Sequence, residues 1–562
     1  MNQDDFPSDE QRLLIDRSRA GESLLIVAGP GTGKSRTALA MALQKICSLP
    51  PSSLARVLFL SFSNATINRL AASIGYEFSE LDRRHLKFMT FHSCASEILS
   101  KYGRFAGLPF PVKVADKLEE RLTAIEEGQD ESSNTYPDFL YSLARNKGLL
   151  SFSCLLPLGS ALLSASETLR TVYARHYPLI IVDEFQDTSA EQWHFLKILG
   201  ANSQVVAFGD PNQIIYSSLH QATERRLAEF ETWKSTSADG SLAKNFRCAQ
   251  RPILEFANCL LQGSRFIPTE SDPVKFGVFF RNQLRGNLAL LWKQIQDKIG
   301  PGQTIGILLP SNALVEEIAS GLRNPPLNSS VRFPVYVQMA RDEAAYDAVL
   351  LALAALKDHL ANPCELSARK AAIALLAMNR SWDSRARISL DRLTEIAEAI
   401  LSHERGDGTT IGRLFESLET QARFRDSVAS LIAALDDLPA FKRTAKRLIA
   451  HPSIISGAKN VLEPELPLFD QLLKKRTPKG LEGEDAFEGK THVLNYYKAK
   501  GREFDYVVLV VDPRQESSKT PVSEKRRLYY VVATRAKKWL GVVYFGADHG
   551  CVLGPAMGRN ST

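Results

Sequence analysis

Two clusters of residues have the types and spacing that chemistry requires. The first is Ala28-Gly29-Pro30-Gly31-Thr32-Gly33-Lys34-Ser35. It follows an apolar run at residues 24–27 and precedes a helix-like stretch over 36–46. Glycines at this density let backbone N–H groups turn toward an anion without Cβ clashes, and a helix starting there presents its positive end. Within this loop Lys34 suits the β- and γ-phosphates of a nucleotide, and Ser35 suits Mg2+. Ala28 stands where the strict pattern has glycine. The second cluster is Leu179-Ile180-Ile181-Val182-Asp183-Glu184. Four apolar residues end in adjacent carboxylates. Asp183 at a strand tip can hold Mg2+ through water, and Glu184 can polarise an attacking water as general base.

Such groups need strands to carry them. Short apolar runs recur at 24–28, 57–62, 179–182, 205–208, 304–309, 506–511 and 540–545. They are rich in Val, Ile, Leu and Phe and alternate little, as strands buried on both faces of a parallel sheet do. They fall into two groups, 24–208 and 304–545, which predicts two α/β lobes. Helical patterns interrupt them, with a charged amphipathic segment at 117–127 and further patterns at 346–360, 367–378, 390–401 and 424–435. Residues 462–488, rich in Pro, Gly and charge, read as a linker.

The whole chain sets the bounds. Its 562 residues exceed one ordinary core and predict several subdomains. With 69 basic and 63 acidic residues the net charge is +6, so a nucleic-acid surface would have to be a local basic groove. The seven cysteines form no C-x-x-C pair, which argues against a zinc site, an iron–sulfur site or a disulfide framework and for reduced thiols in the cytosol. Met1–Glu10 has no apolar signal core, and the longest apolar stretch, 349–356, is too short to span a bilayer. The expectation is a cytoplasmic protein without a membrane partner.

The run Asp183-Glu184-Phe185-Gln186-Asp187-Thr188-Ser189 resembles the D-E-[YF]-Q-D-T signature of UvrD/Rep-type superfamily 1 DNA helicases. Other blocks resemble that family in its own order. Glu10-Gln11 is similar to the leading Gln motif. Residues 59–64 resemble T-F-T-N, and Thr90-Phe91-His92-Ser93 matches the T-F-H block. Gly209-Asp210-Pro211-Asn212-Gln213 lies in a G-D-x-x-Q-x-I-Y-like block ending at Tyr216, and Asn245-Phe246-Arg247 resembles N-Y-R. Lys498-Ala499-Lys500-Gly501-Arg502-Glu503-Phe504 resembles K-A-K-G-L-E-F. Tyr529-Tyr530-Val531 with Thr534-Arg535-Ala536 resembles the closing Y-V-A-x-T-R-A block.

The resemblance implies two RecA-like parallel-sheet lobes with two mainly helical insertions. The first lobe would comprise 1–100 and 178–262, with an insertion at 101–177. The second would comprise 263–345 and 488–562, with a reduced insertion and linker at 346–487. It implies ATP and Mg2+ as ligands. Gln11 would read the adenine edge, and Phe246 would stack on the base beside Arg36. Ala28, Gly29, Pro30, Gly31, Thr32, Gly33, Lys34 and Ser35 would line the phosphates, and Ser35 and Asp183 would hold the metal. Glu184 would activate water, and Gln213 would sense the γ-phosphate. Arg247 and Arg535 would neutralise the transferring phosphoryl group, and Glu503 would contact the ribose or tie the lobes together. Phe62, Asn64, His92, Tyr216, Tyr497 and Lys500 would meet single-stranded DNA.

Some positions depart from the family pattern. Ser218 and Leu219 replace a large aromatic and an arginine, which removes a base-stacking platform. Asn495 and Tyr497 replace a threonine and a histidine, and Arg502 replaces a leucine. Two functions follow as expectations. One is an ATP-driven 3′–5′ translocase and helicase acting on single strands and on single-strand/duplex junctions. The alternative is a DNA-sensing ATPase subunit of a multi-protein complex, nuclease-associated or of antiphage defence, with weak or no unwinding of its own.

Overall fold

The computed structural model of the chain describes residues 6–215, 225–279, 299–318, 337–449 and 491–545. Within those spans it leaves out 51, 62–66, 68–69, 72–73, 75–77, 116, 130–132, 235–239, 247–250, 270, 300–301, 312–313, 316–317, 383–387, 403–409, 421–423, 439–440 and 513–519. The chain is mixed α/β and forms two compact units. One comprises Met1–Ala106, Leu155–Met339 and Gly483–Thr562; the other comprises Gly107–Cys154 and Ala340–Glu482.

The first unit contains two six-stranded parallel sheets. In the first sheet the strands are β1 (Leu24–Ala28), β2 (Val57–Ser61), β3 (Leu86–Thr90), β4 (Leu179–Val182), β5 (Gln204–Gly209) and β6 (Gly240–Leu242). Their order is β3-β2-β4-β5-β1-β6. Each of the four side chains of β4 is 0% exposed. Burial of such a side chain stabilises by roughly 1.5–3 kcal/mol, so this apolar strand can occupy only the sheet interior. Pairing of Val27 with Gly209 and of Val182 with Ala207 brings the carboxyl ends of β1, β5 and β4 side by side. Ligands of open α/β sheets bind at such an edge.

The second sheet is built from β7 (Val274–Phe279), β8 (Ile305–Leu309), β9 (Val337–Met339), β10 (Thr491–Asn495), β11 (Phe504–Val511) and β12 (Ala536–Phe545), in the order β9-β10-β8-β11-β12-β7. Its apolar core, around Ile307, Val493, Val508 and Val543, is separate from the core around Leu24, Ile26, Phe59 and Phe208 under the first sheet. Four of the five strands in these sheets that apolar runs did not reveal share one cause, and the fifth has its own. β3, β6, β7 and β9 lie at sheet edges, where a half-covered strand needs no continuous apolar run. β10 carries the buried polar residues Thr491 and His492 inside its run.

Six helices position the site: α1 (Asp9–Arg19), α2 (Lys34–Cys47), α3 (Phe91–Tyr102), α4 (Ala190–Leu199), α5 (Arg251–Gln262) and α6 (Val522–Ala533). Helix α5, grouped with the first lobe from the sequence, packs on the second sheet. Its Phe256 meets Phe266 and Phe276 with ring centroids 5.4 Å away in each case.

The second unit is helical. Its core gathers Leu353, Leu376, Ile396, Phe415 and Leu431 from Ala340–Ala361, Glu365–Trp382, Leu390–Ser402, Thr410–Glu419 and Phe424–Asp437, and Phe441 from the turn ahead of Lys442–Ile449. Ile125 of the earlier helix Lys117–Glu126 packs on that core, and Glu126 pairs with Arg369 at 3.3 Å. Two segments far apart in sequence therefore share one core. The linker expected at 462–488 lies outside the described residues. Among the described residues no single helix is long and apolar enough to cross a membrane.

Gly306 of β8 pairs with His492, and the buried ring of Phe504 lies against it. A Cβ at Gly306 would stand 2.5 Å from that ring. Gly306→Ala is expected to lower stability by about 1–3 kcal/mol through overpacking, measured as a reduced urea midpoint.

Candidate nucleotide site

The loop after β1 is shaped by two glycines in left-handed backbone, Gly31 at φ 76° and Gly33 at φ 85°. Thr32 Oγ1 donates to the Gly29 carbonyl at 2.9 Å, which pins the loop from inside. Lys34 Nζ donates to the carbonyls of Ala28 at 2.8 Å and Gly29 at 3.2 Å, so the ammonium lies over the loop. Gly33 is also the point of closest approach. A Cβ there would lie 2.6 Å from Gln11 Nε2 and 3.8 Å from the Phe246 ring.

Gln11 is aimed by its own helix. Its Oε1 accepts from the Ser8 N–H at 3.0 Å in the capping box of α1, which leaves Nε2 to donate to the Thr32 carbonyl at 3.3 Å. Phe246 is held by its N–H donating to Gly31 O at 2.7 Å, and the Asn245 side-chain amide donates to Pro30 O. The Arg36 guanidinium lies 4.1 Å above the ring of Phe6. Phe6 did not emerge from the sequence; an aromatic just ahead of the Gln motif is the signal that could have marked it.

The carboxylates follow β4. Asp183 donates its N–H to Leu60 O at 3.1 Å and is 6% exposed. Glu184, at φ 52°, is the one non-glycine with positive φ among the described residues. That conformation costs on the order of 1–2 kcal/mol, and the surroundings hold it. The Glu184 N–H donates to Asp183 Oδ1 at 3.0 Å, and Gln186 Nε2 donates to Glu184 Oε2 at 2.7 Å. Below the turn, Phe185 packs edge-on against Trp193 of α4 and Phe230, at 5.5 and 5.3 Å.

Gln186 is 0% exposed and spends both ends of its amide. Its Oε1 accepts from the Asp210 N–H at 3.0 Å. Asp210 Oδ2 accepts from Gln213 Nε2 at 2.7 Å, and Gln213 Oε1 accepts from Arg535 Nη2 at 3.1 Å. An unbroken hydrogen-bond path thus runs from Glu184 to an arginine of the second sheet. Gln186 was missed in the sequence beyond its place in a motif, because nothing local reveals which carboxylate its amide serves.

Arg535 lies in the turn between α6 and β12 and is 3% exposed. Beside it Lys500 Nζ pairs with Asp187 Oδ2 at 2.5 Å and donates to Gln213 O at 2.7 Å. Both Asp187 and Lys500 are buried, with side chains 3% and 7% exposed. Lys500, expected at the DNA, is thereby committed to the seam between the sheets. Burial pushes the Asp187 carboxyl up to about 6, against the pull of Lys500. Glu503 meets Lys537 at 3.5 Å on its own side of the seam.

Among the residues expected at DNA, His92 sits in the first turn of α3, where burial pushes its imidazole down to about 4 and keeps it neutral at pH 7. Tyr497 is 39% exposed in the short helix Tyr496–Ala499 after β10, and burial of its other atoms, with Glu524 nearby, raises its phenol. Phe62, Asn64, Tyr216 and Arg247 lie outside the described residues, as do Ser218 and Leu219.

Two parallel sheets with a glycine-rich loop at the carboxyl edge of the first define a P-loop α/β protein of the two-lobed kind. Residues 8–147 and 111–232 match the UvrD/REP helicase N-terminal domain, and residues 490–543 match the UvrD-like helicase C-terminal domain. The chain belongs to the UvrD/Rep-type superfamily 1 helicase family. It is 23% identical to DNA helicase II of Haemophilus influenzae over 92% of this chain and 81% of that protein. It is 22% identical to the ATP-dependent DNA helicase PcrA of Leuconostoc citreum over 92% and 79%, respectively. With DNA helicase II of Escherichia coli it shares 22% identity over 96% of this chain and 84% of the relative.

The raised Asp187 carboxyl has a consequence for stability. Its folded value of about 6 lies above the free value of 3.8, so folding takes up a proton in that window. The associated stability is present below the lower value and is lost as pH rises through the upper one. Urea unfolding at a series of pH values should show a steeper fall across that window in the wild type than in Asp187→Asn.

Proposed function

We propose that the protein is an ATP-dependent DNA helicase that hydrolyses ATP between its two sheet-bearing lobes and moves 3′ to 5′ along single-stranded DNA. The observation that carries this reading is the Gln213–Arg535 hydrogen bond, which joins the edge bearing the phosphate loop to the second sheet. The names of the relatives support it, since DNA helicase II and PcrA are DNA helicases and PcrA is ATP-dependent. Substrates on this reading are single strands and single-strand/duplex junctions.

In this mechanism Gln11, Phe246 and Arg36 hold the adenine. The run Ala28 to Ser35 cradles the phosphates, with Lys34 leaving its two carbonyls for the β- and γ-oxygens. Ser35 and Asp183 would hold Mg2+, which supplies charge neutralisation on the phosphates. Two hard oxygen donors suit that ion, which takes its remaining ligands from phosphate and water. Glu184 orients and deprotonates the attacking water, held at its left-handed position by Gln186. Gln213 reads the terminal phosphate, and Arg247 and Arg535 neutralise its developing charge.

Because Arg535 belongs to the second sheet, its acceptor changes with the state of the phosphate. With ATP present the lobes close, and after hydrolysis they part. Glu503, paired with Lys537, helps tie the second lobe to this edge. Phe62, Asn64, His92, Tyr216 and Tyr497 meet the strand, His92 as a neutral ring that stacks or hydrogen-bonds.

Glu184→Gln is expected to retain nucleotide binding while DNA-stimulated ATP turnover falls by roughly a hundredfold or more, read by fluorescent-nucleotide titration and phosphate release. Turnover equal to the wild type would remove Glu184 from its role. Strand displacement should occur on a 3′-tailed duplex and not on a 5′-tailed one; the reverse preference would overturn the assigned polarity.

A further inference from the structure

One more side chain reaches the phosphate loop from the second-sheet side. Tyr530 lies on α6, 6% exposed, next to Tyr529. The two neighbours point to different surroundings. Tyr529 packs against Tyr496 at 5.7 Å within the second lobe. Tyr530 faces the other way, and a Cβ built on Gly29 of the loop would lie 4.0 Å from its hydroxyl oxygen. Asp210 of the first-sheet edge and Arg535 are its charged neighbours. Among the described residues the Tyr530 hydroxyl has no hydrogen-bond partner. The ring of Tyr530 is buried, but its hydroxyl oxygen is not among the fully buried side-chain oxygens and opens onto the crevice over the loop. A phenol that opens onto a phosphate cradle can exchange water for an oxygen of the ligand.

We propose that Tyr530 is a catalytic residue whose O–H donates a hydrogen bond to a non-bridging oxygen of the terminal phosphate of a bound nucleoside triphosphate. This rests on the proposed function and extends it to a tyrosine of the closing motif to which the resemblance assigned no role. The phenol acts as a donor and not as a base, because burial and the Asp210 carboxylate hold its proton in place, against the opposing pull of Arg535. A diphosphate lacks the group Tyr530 would touch. The hydroxyl therefore distinguishes triphosphate from diphosphate and strengthens its bond as charge builds on the transferring oxygens.

Tyr530→Phe tests this in the full chain, since it keeps the ring and removes only the hydroxyl. Turnover of ATP is expected to fall roughly tenfold or more. Affinity for a non-hydrolysable ATP analogue should fall by a similar factor, while affinity for ADP stays within about twofold. Tyr529→Phe should leave turnover within about twofold, which separates loss of the hydroxyl from a general disturbance of α6. Unchanged turnover in Tyr530→Phe, or equal loss of ADP and analogue binding, would overturn the assignment. If the wild type turns over ATP and Glu184→Gln does not, such a result defeats the role of Tyr530 alone. Absence of turnover in the wild type defeats the proposed function itself.

Discussion

A guanidinium cannot shed its charge inside a protein, and Arg535 is almost wholly buried. It therefore needs acceptors, and its own segment offers Val531 O at 2.8 Å and Thr534 Oγ1 at 3.2 Å. Gln213 Oε1 comes from the other sheet. The same logic governs Lys500, whose ammonium is satisfied by Asp187 and the Gln213 carbonyl across the seam. The apolar cores of the two sheets are distinct, so these bonds between cations and first-sheet acceptors are what make the halves specific for one another. A joint of this kind responds to added charge, because a phosphate is a better acceptor for a guanidinium than an amide oxygen.

The first-sheet side of the joint is rigid for reasons of backbone and packing. Glu184 stays in left-handed backbone because Asp183 and Gln186 each bond it and Phe185 is locked among aromatic rings. Gln186 transmits the position of that turn to Asp210, and Asp210 sets the amide of Gln213. On the proposed reading, the group that activates water and the group that reads the phosphate cannot shift independently. The strain at Glu184 is the cost of that coupling.

Some of this was legible residue by residue. The phosphate loop was, because its demands are local: small residues where the backbone turns left-handed, then a lysine, a hydroxyl and a helix. Interior strands were legible because burial on both faces leaves an apolar run, as at 179–182 and 506–511. Edge strands were not, since one covered face is enough for them. Lys500 was placed at the DNA by the resemblance of its block, where Lys498 and Arg502 are its basic neighbours. A run of like charges in sequence says nothing about which member folds inward onto a carboxylate 313 positions earlier. The helical insertions were read as two bodies, but Ile125 and Glu126 bind into the core and surface of the later helices.

A few neighbouring residues were enough to settle the nucleotide loop, the carboxylate pair at a strand end, most of the central strands and the order of the family's motifs. Tertiary structure alone decided which polar atoms satisfy one another. It set Gln186 between Glu184 and Asp210, buried Lys500 on Asp187, and turned Tyr530 rather than Tyr529 toward the phosphate loop. The physical reason is that hydrogen-bond partnership and desolvation depend on separation in space, and a parallel sheet brings together strand ends that are far apart along the chain.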